Sequence, residues 1–400
     1  MDLRSHYPYW LLKQGIIRNY PSLEKNIAAE VVIIGAGITG ALVAWELCRA
    51  GIKTVVVDRR HVGMGSTAAC TALLQYEIDT PLHELIQKTG YRNAVRSYQL
   101  CLQSIYDLKK ICDQFYDKAG FKLRPSFQFA SYKKHTRELE QEYKLRKSEG
   151  IGVSLLEEKD IVNKYGFKAP AGLLSKDGAE VDAYNLTHTL LQKSKVMGLQ
   201  VYDHTAIKKI NYHRHHIELL TDDDYVIKAR KLVIACGYES QQYVPKKIEQ
   251  LSSTYAIVSE PLTMKNFWYR NSLIWETAVP YLYLRTTTDQ RILVGGKDDS
   301  FINPLKRNKA LPGKAKTLSK AFSRLFPHIP FKIDYQWGGV FGSTKDGLPY
   351  IGSIPQRPNT LFALGYGGNG VTFSLIAARL IRDMLKGHKN PDLAIFSFDR

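Results

Sequence analysis

The stretch EVVIIGAGITGALVAWELCRAGIKTVVVDRR, residues 30–60, carries the clearest structural pattern in the chain. Val31 to Ile34 form an apolar, β-branched run that predicts a strand, and Leu42, Val43, Trp45, Glu46 and Leu47 recur at helical spacing. Between them stand Gly35, Gly37 and Gly40. In a strand–turn–helix unit the first glycine allows the tight turn and the second lets a pyrophosphate approach the backbone. The third lets helix and strand pack closely. The helix N-terminus then presents unpaired N–H groups and the positive end of its dipole to phosphate. A second apolar strand, Thr54 to Val57, is closed by Asp58 at the spacing where an acid accepts ribose hydroxyls. The expected nucleotide contacts are therefore Gly35, Ala36, Gly37, Ile38, Thr39, Gly40, Asp58 and the adjoining Arg59. An acid at position 58 disfavours a 2′-phosphate, which points to FAD or NAD rather than NADP.

The chain has 400 residues, 44% of them apolar, enough for a sizeable core and two intertwined or consecutive domains. No run of eighteen apolar residues occurs, and the opening MDLRSHYPYWLLKQG lacks a signal-peptide core and cleavage site, so a cytoplasmic location is the default expectation. The five cysteines (Cys48, Cys70, Cys101, Cys112 and Cys236) include no CxxC pair, which argues against a disulfide framework or zinc site and for reduced thiols. A net charge of +18 favours anionic partners, but the bases are scattered. In Lys133–Lys147 they alternate with Glu138, Glu140 and Glu142 as on a solvated helix face. Nucleic acid is not an expected partner; a peripheral membrane contact or a basic proteome accounts for the charge equally well.

Thr80 to Ala119 reads as helical, Phe127 to Tyr132 as strand, and Asp182 to Met197 as an amphipathic helix closed by Gly198. Leu199–Tyr202, His204–Ile210, His216–Leu220 and Tyr225–Ala229 read as a meander leading into KLVIACG, residues 231–237. Ser252 to Gly296 alternates and is rich in aromatics, as a large antiparallel sheet requires, with Asp289-Gln290 in a hairpin turn. Near the C-terminus, LFALGYGGNGVTFSLIAARLI repeats the strand, glycine loop and helix theme.

PYWL, GAGITG, GMGSTAAC, LVIACGYES, LYLRTTTDQRILVGG, WGGVFGSTKDGLPYIG and GYGGNGVTFS follow one another in the order of the D-amino-acid oxidase superfamily of flavoproteins. The chain resembles that superfamily, which includes glycine and sarcosine oxidases, along nearly its whole length. It looks most like the branch of γ-glutamylputrescine oxidoreductases. The resemblance implies an α/β fold: a discontinuous Rossmann-type FAD domain from residues 1–85, 165–240 and 330–400, with an α+β substrate domain from 86–164 and 241–329 that contains the large antiparallel sheet. It adds Ser66, Thr67, Ile207, Gly237, Gly367, Gly368, Asn369, Gly370, Val371 and Thr372 to the FAD contacts. A helix N-terminus at Gly370–Thr372 would lie near the flavin ring, where reduced flavin carries negative charge.

Departures from the family pattern narrow the chemistry. The arginines with which glycine oxidases clamp a substrate carboxylate would fall in Gly339-Val340-Phe341-Gly342 and in Gly367-Gly368, and neither stretch contains one. A simple α-amino acid therefore becomes a less favoured substrate, with Arg285 left as a candidate clamp. The flavin-attaching cysteine of sarcosine oxidases would fall near Gly339, so non-covalent FAD is expected. The lysine those enzymes use on oxygen would fall near Leu293, which puts direct use of oxygen in doubt. Tyr281, Tyr283, Trp337 and Tyr366 are candidates for an aromatic cage around an amine. Tyr212-His213-Arg214-His215-His216 looks like a metal box, but it lies in a predicted turn without a supporting acid or cysteine cluster, and no metal is expected.

The resulting expectation is an FAD-dependent oxidoreductase that oxidises a C–N bond of an amine or amino-acid-like substrate by hydride transfer to flavin N5, followed by imine hydrolysis. Oxygen or another acceptor would take the electrons. The alternatives are a flavin-dependent 2-hydroxy acid or glycerol-phosphate dehydrogenase and a flavin-binding assembly or regulatory protein without turnover.

Overall fold

A computed structural model describes residues 1–263 and 267–400. The strand Ile27–Ile34 lies parallel between Thr54–Val57 on one side and Val226–Ile234 on the other, with Gln200–Tyr202 and Thr360–Leu364 extending the parallel set outward. Tyr350–Gly352 closes one edge antiparallel. The strands alternate cleanly between two faces. Val31, Ile33, Val56 and Val233 face one helix-covered core, whereas Val32, Ile34, Val55, Val57, Leu232 and Ile234 face the other. In register, Ile34 stands opposite both Val57 and Ile234, so their carboxyl ends lie side by side. From those ends emerge Gly35–Gly37, Asp58–Arg60 and Cys236–Gly237, and Gly365 follows the neighbouring strand. The crevice beyond the strand ends is where open α/β sheets bind ligands.

Two helices start at that crevice, Ile38–Arg49 and Gly370–Leu385, and Thr39 Oγ1 meets Ser374 Oγ at 2.8 Å between them. Gly35 has φ +111°, and a Cβ there would lie 2.5 Å from the Ala235 carbonyl oxygen. A Cβ on Gly40 would lie 1.8 Å from the Gly35 carbonyl oxygen, so this helix can approach its strand only with glycine at position 40.

The second sheet has ten strands and is antiparallel except where Leu273–Glu276 runs parallel to Lys122–Phe129. Its membership departs from the expected segmentation. Leu73–Gln75, Ala171–Glu180 and Ile333–Ser343 fall in segments expected for the FAD domain, yet all pair into this larger sheet. The expected first meander strand likewise becomes Gln200–Tyr202, parallel to Thr54–Val57, and the antiparallel meander is confined to Ile207–Tyr212, Ile217–Thr221 and Val226–Ile234. Alternation of side chains cannot distinguish the two sheets, because each buries one or both faces. Among the described residues, no helix is long and apolar enough to cross a membrane.

Candidate functional site

One cavity of about 400 Å³ runs from the strand ends of the parallel sheet to the face of the larger sheet. Fifteen of the eighteen expected cofactor contacts line it; Ala36, Gly40 and Thr372 do not. Each exception has a physical reason. The Ala36 amide donates to Asp58 Oδ2 at 2.7 Å, Gly40 is occupied in helix–strand packing, and the Thr372 hydroxyl turns to the Gln75 carbonyl at 3.4 Å.

At the nucleotide end the protein satisfies much of its own polarity. Asp58 also accepts from the Arg60 amide at 2.9 Å; burial raises its pKa, opposed first by the Ala36 N–H. Thr67 Oγ1 accepts from the Ile38 amide at 3.0 Å, which leaves its own proton for a ligand oxygen. Arg59 and Arg60 both pair with Glu239, Arg60 at 2.9 Å, forming a bridge along the cavity wall. No side chain caps the Ile38 helix at Gly37. Asn369, before the Gly370 helix, instead donates to the Gln75 and Glu77 carbonyls at 2.8 and 2.9 Å. Both helix N-termini therefore lie at the cavity without a cap from their own N-cap residue, Thr67 taking only the Ile38 amide, and the Ser66 hydroxyl, buried in the wall, has no partner among the described residues. Uncapped helix starts and an orphaned hydroxyl fit a long ligand with phosphate at one end and an electron-accepting ring at the other.

The family model for FAD dependent oxidoreductases matches residues 30–384. The chain belongs to that family. A Bacillus licheniformis glycine oxidase is 25% identical over 90% of this chain and 93% of its own. A putative Rieske 2Fe-2S iron-sulfur protein, YhfW, of Bacillus subtilis is 24% identical over 98% of this chain and 75% of its own. The crystal structure of glycine oxidase from Geobacillus kaustophilus matches with a TM-score of 0.79 at 19% identity, covering 93% of this chain and 99% of that one. The cofactor of this FAD-dependent family is thus FAD, and the uncapped helix starts and the orphaned hydroxyl suit it.

The substrate end of this FAD-dependent oxidoreductase differs from expectation in its charged groups. Arg285 does not reach the cavity. It is 1% exposed, and Nη1 donates to the carbonyls of Thr71, Ala72 and Val181 at 3.1, 2.7 and 3.0 Å while Nε donates to the Thr286 carbonyl at 3.0 Å. Trp337 is likewise structural: its indole donates to the Ala69 carbonyl at 3.0 Å within a core that includes Tyr9, Trp10 and Leu293. Tyr281, Tyr283 and Tyr366 do line the cavity. A Cβ on Gly295 would lie 2.3 Å from the Tyr283 ring, so glycine there lets the ring lie across the sheet.

Sequence reasoning missed the cavity's acids and one of its aromatic walls. Asp79 accepts from the Gly368 amide of the final glycine loop at 2.7 Å and from Tyr281 OH at 3.3 Å. Burial raises its pKa against both donors. Burial also lifts Asp298 to about 6, opposed by the Thr254 hydroxyl and reinforced by the charge of Asp79. Glu249 is 3% exposed and is lifted to about 7 by burial, opposed only by the Gly365 backbone N–H. Trp275 packs edge-on to Tyr281 at 6.4 Å between ring centroids. No motif marks any of these residues; only the run of aromatics before Gly295 signals a wall.

Elsewhere, the His213 and His216 rings stack at 4.4 Å, and Glu218 on the adjoining strand lies 3.5 and 3.3 Å from them. The hairpin thus supplies the acid that the sequence reading did not find. All three are at least partly exposed.

Proposed function

We propose that this protein oxidises the C–N bond of an amine that carries no clamped α-carboxylate. The observation behind this reading is the exchange of charge at the final glycine loop: Asp79 stands against Gly367 and Gly368, and no lysine, arginine or histidine lines the substrate end among the described residues. A carboxylate beside Asp79 would lack the bidentate partner that makes such contacts strong and would face like charge. The same absence disfavours 2-hydroxy acids and glycerol phosphate, which present an anion of their own. When bound, FAD supplies the acceptor for the hydride leaving the carbon that bears nitrogen, and water hydrolyses the resulting imine. Asp58, Thr67 and the start of the Ile38 helix hold the nucleotide in this reading, while Tyr281, Tyr283 and Tyr366 exclude water and orient the amine. Non-covalent binding agrees with the thiols on the wall, since burial raises the pKa of Cys70 and pushes Cys236 up to about 12, leaving both as poor nucleophiles. Among the described residues no lysine lines the cavity at the Leu293 position, which supports an acceptor other than oxygen. The likeness to γ-glutamylputrescine oxidoreductases belongs with this reading.

The test is anaerobic stopped-flow bleaching of the yellow protein with glycine, D-alanine, lactate, glycerol phosphate and a series of primary and secondary amines. Amines should reduce it fastest. Faster bleaching by glycine, D-alanine or either hydroxylated anion overturns the reading, and no bleaching by any compound favours a protein without turnover.

A further inference from the structure

His61, Asp203 and His204 form a separate cluster at the ends of two adjacent strands of the parallel sheet, and none of the three lines the cavity. His61 follows Thr54–Val57 after the Asp58–Arg60 turn, and Asp203 and His204 follow Gln200–Tyr202 directly. His61 Nδ1 lies 3.0 Å from Asp203 Oδ2, and His204 Nδ1 lies 3.1 Å from Oδ1 of the same carboxylate. The two imidazoles stand at 89° to each other with ring centroids 4.1 Å apart. Neighbouring residues of an extended strand point to opposite sides, which would separate Asp203 from His204. A φ of 45° at His204 breaks that alternation and brings both side chains to His61.

Asp203 makes the strongest demand. It is 1% exposed, yet among the described residues its carboxylate takes no bond from a lysine, an arginine or a backbone N–H, and its only partners are the two imidazoles. Arg60, the arginine beside His61, is bonded instead to Glu239 through both Nη atoms, at 2.9 and 3.0 Å. A buried carboxylate needs opposite charge as well as donors, and neutral imidazoles supply donors alone. A divalent cation held by all three groups supplies the charge. Ligand atoms about 2.0–2.2 Å from a tetrahedral zinc ion stand about 3.4 Å from one another. The three residues offer ligand atoms all within 4.8 Å of one another, and the two N···O separations are shorter than the tetrahedral spacing. His61 is half-buried and His204 exposed, so the solvent side is open to water as a fourth ligand.

The stacked pair His213 and His216 with Glu218 is the weaker candidate, because Glu218 is partly exposed and already has Lys228 Nζ at 3.9 Å. We propose that His61, Asp203 and His204 bind a divalent transition-metal ion of the zinc class, through two imidazole nitrogens and one carboxylate oxygen. Imidazole nitrogen selects such ions over magnesium and calcium. The ion ties together two turns that backbone bonds already join: the Thr205 amide donates to the Asp58 carbonyl at 2.8 Å and the His204 amide to the Arg60 carbonyl at 3.5 Å. Asp58, Arg60 and Thr205 line the nucleotide end of the cavity, so the ion braces that wall from behind. Sequence spacing gives no sign of the site, since His61 stands 142 residues before Asp203. The site is independent of the amine-oxidising reading.

The experiment strips tag-free, FAD-loaded protein with a chelator, removes the chelator and titrates the protein calorimetrically with zinc chloride. Wild type should bind zinc at one dominant site. His61→Ala and His204→Ala alter partly or fully exposed side chains, and each should weaken binding about thirtyfold or more, since even changes to groups behind metal ligands cost about 10–100-fold. The double variant His213→Ala, His216→Ala should keep the wild-type affinity. Zinc at about a hundredfold over its Kd should raise the midpoint of thermal unfolding by about 2–5 °C in wild type and in the double variant, but not in His61→Ala. No zinc binding by wild type overturns the proposal. So does binding that His61→Ala and His204→Ala both leave intact, or binding that the double variant abolishes, which would place the ion on the hairpin. Neither readout depends on turnover, so failure here leaves the oxidation reading to its own test.

Discussion

The two ends of the cavity are built on opposite principles. At the nucleotide end Asp58, Thr67, Arg60 and Glu239 bond to one another or to nearby backbone. At the substrate end, among the described residues, Asp298 retains an unpartnered oxygen and Trp275 an unpartnered indole N–H. The nucleotide end is shaped mainly by backbone and can form in advance. Its ligand finds uncapped helix starts rather than side chains that must be reorganised. The substrate end leaves polar groups unsatisfied, and such groups discriminate strongly because a ligand that fails to pair them leaves their desolvation uncompensated.

Substitutions at the glycines test the first half of that contrast and should have the largest effects. Gly40→Leu drives a side chain into the Gly35 carbonyl, so loss of both flavin and soluble folded protein is expected, with destabilisation beyond about 4 kcal/mol. At Gly37 a Cβ would meet only the Thr67 hydroxyl at 2.9 Å, a side chain able to turn away. Gly37→Leu should therefore keep the fold by circular dichroism and lose FAD. Stoichiometric flavin in Gly37→Leu would refute the placement of the pyrophosphate.

Arg285→Met separates the structural arginine from the substrate end. Its guanidinium bonds backbone carbonyls from three separate segments, so removal should cost about 3–5 kcal/mol in denaturant unfolding. The order of substrates in the bleaching assay should remain the same. A shift in preference towards or away from carboxylates would return Arg285 to the site.

Glu249→Gln gives the smallest and most pH-dependent effect. The folded-state pKa is raised to about 7 from an ordinary 4.5, so between those values the folded form binds more protons than the unfolded one. Stability must therefore fall as pH rises through that window, by an amount on the order of 3 kcal/mol for this group. The wild-type minus Glu249→Gln difference in unfolding free energy, measured at pH 5 and pH 8, should show that fall. No change in the difference would mean that Glu249 is partnered in solution.

The nucleotide end was legible in the order of residues alone. Gly35, Gly37, Gly40 and Asp58 lie within one strand–helix–strand unit, and their roles follow from local backbone geometry that recurs wherever the order recurs. It also located the second glycine-rich helix start, because an apolar helix after a glycine loop is a local pattern. The substrate end emerges only once the chain is folded. Trp275 and Asp298 are brought to the cavity by strands of the larger sheet, and Asp79 reaches the same wall from the loop after Leu73–Gln75. Strand alternation would give Lys297, not Asp298, the register facing Tyr281, but positive φ at Gly296 (117°) and Lys297 (58°) and a shifted register beside Tyr255 interrupt it. Asp298 thereby turns into the cavity. Arg285 shares the alternation of Tyr281 and Tyr283, yet three carbonyls from Thr71, Ala72 and Val181 capture it before it reaches the cavity. Which side chain wins such a competition depends on backbone groups from other parts of the chain, and no local pattern records their positions.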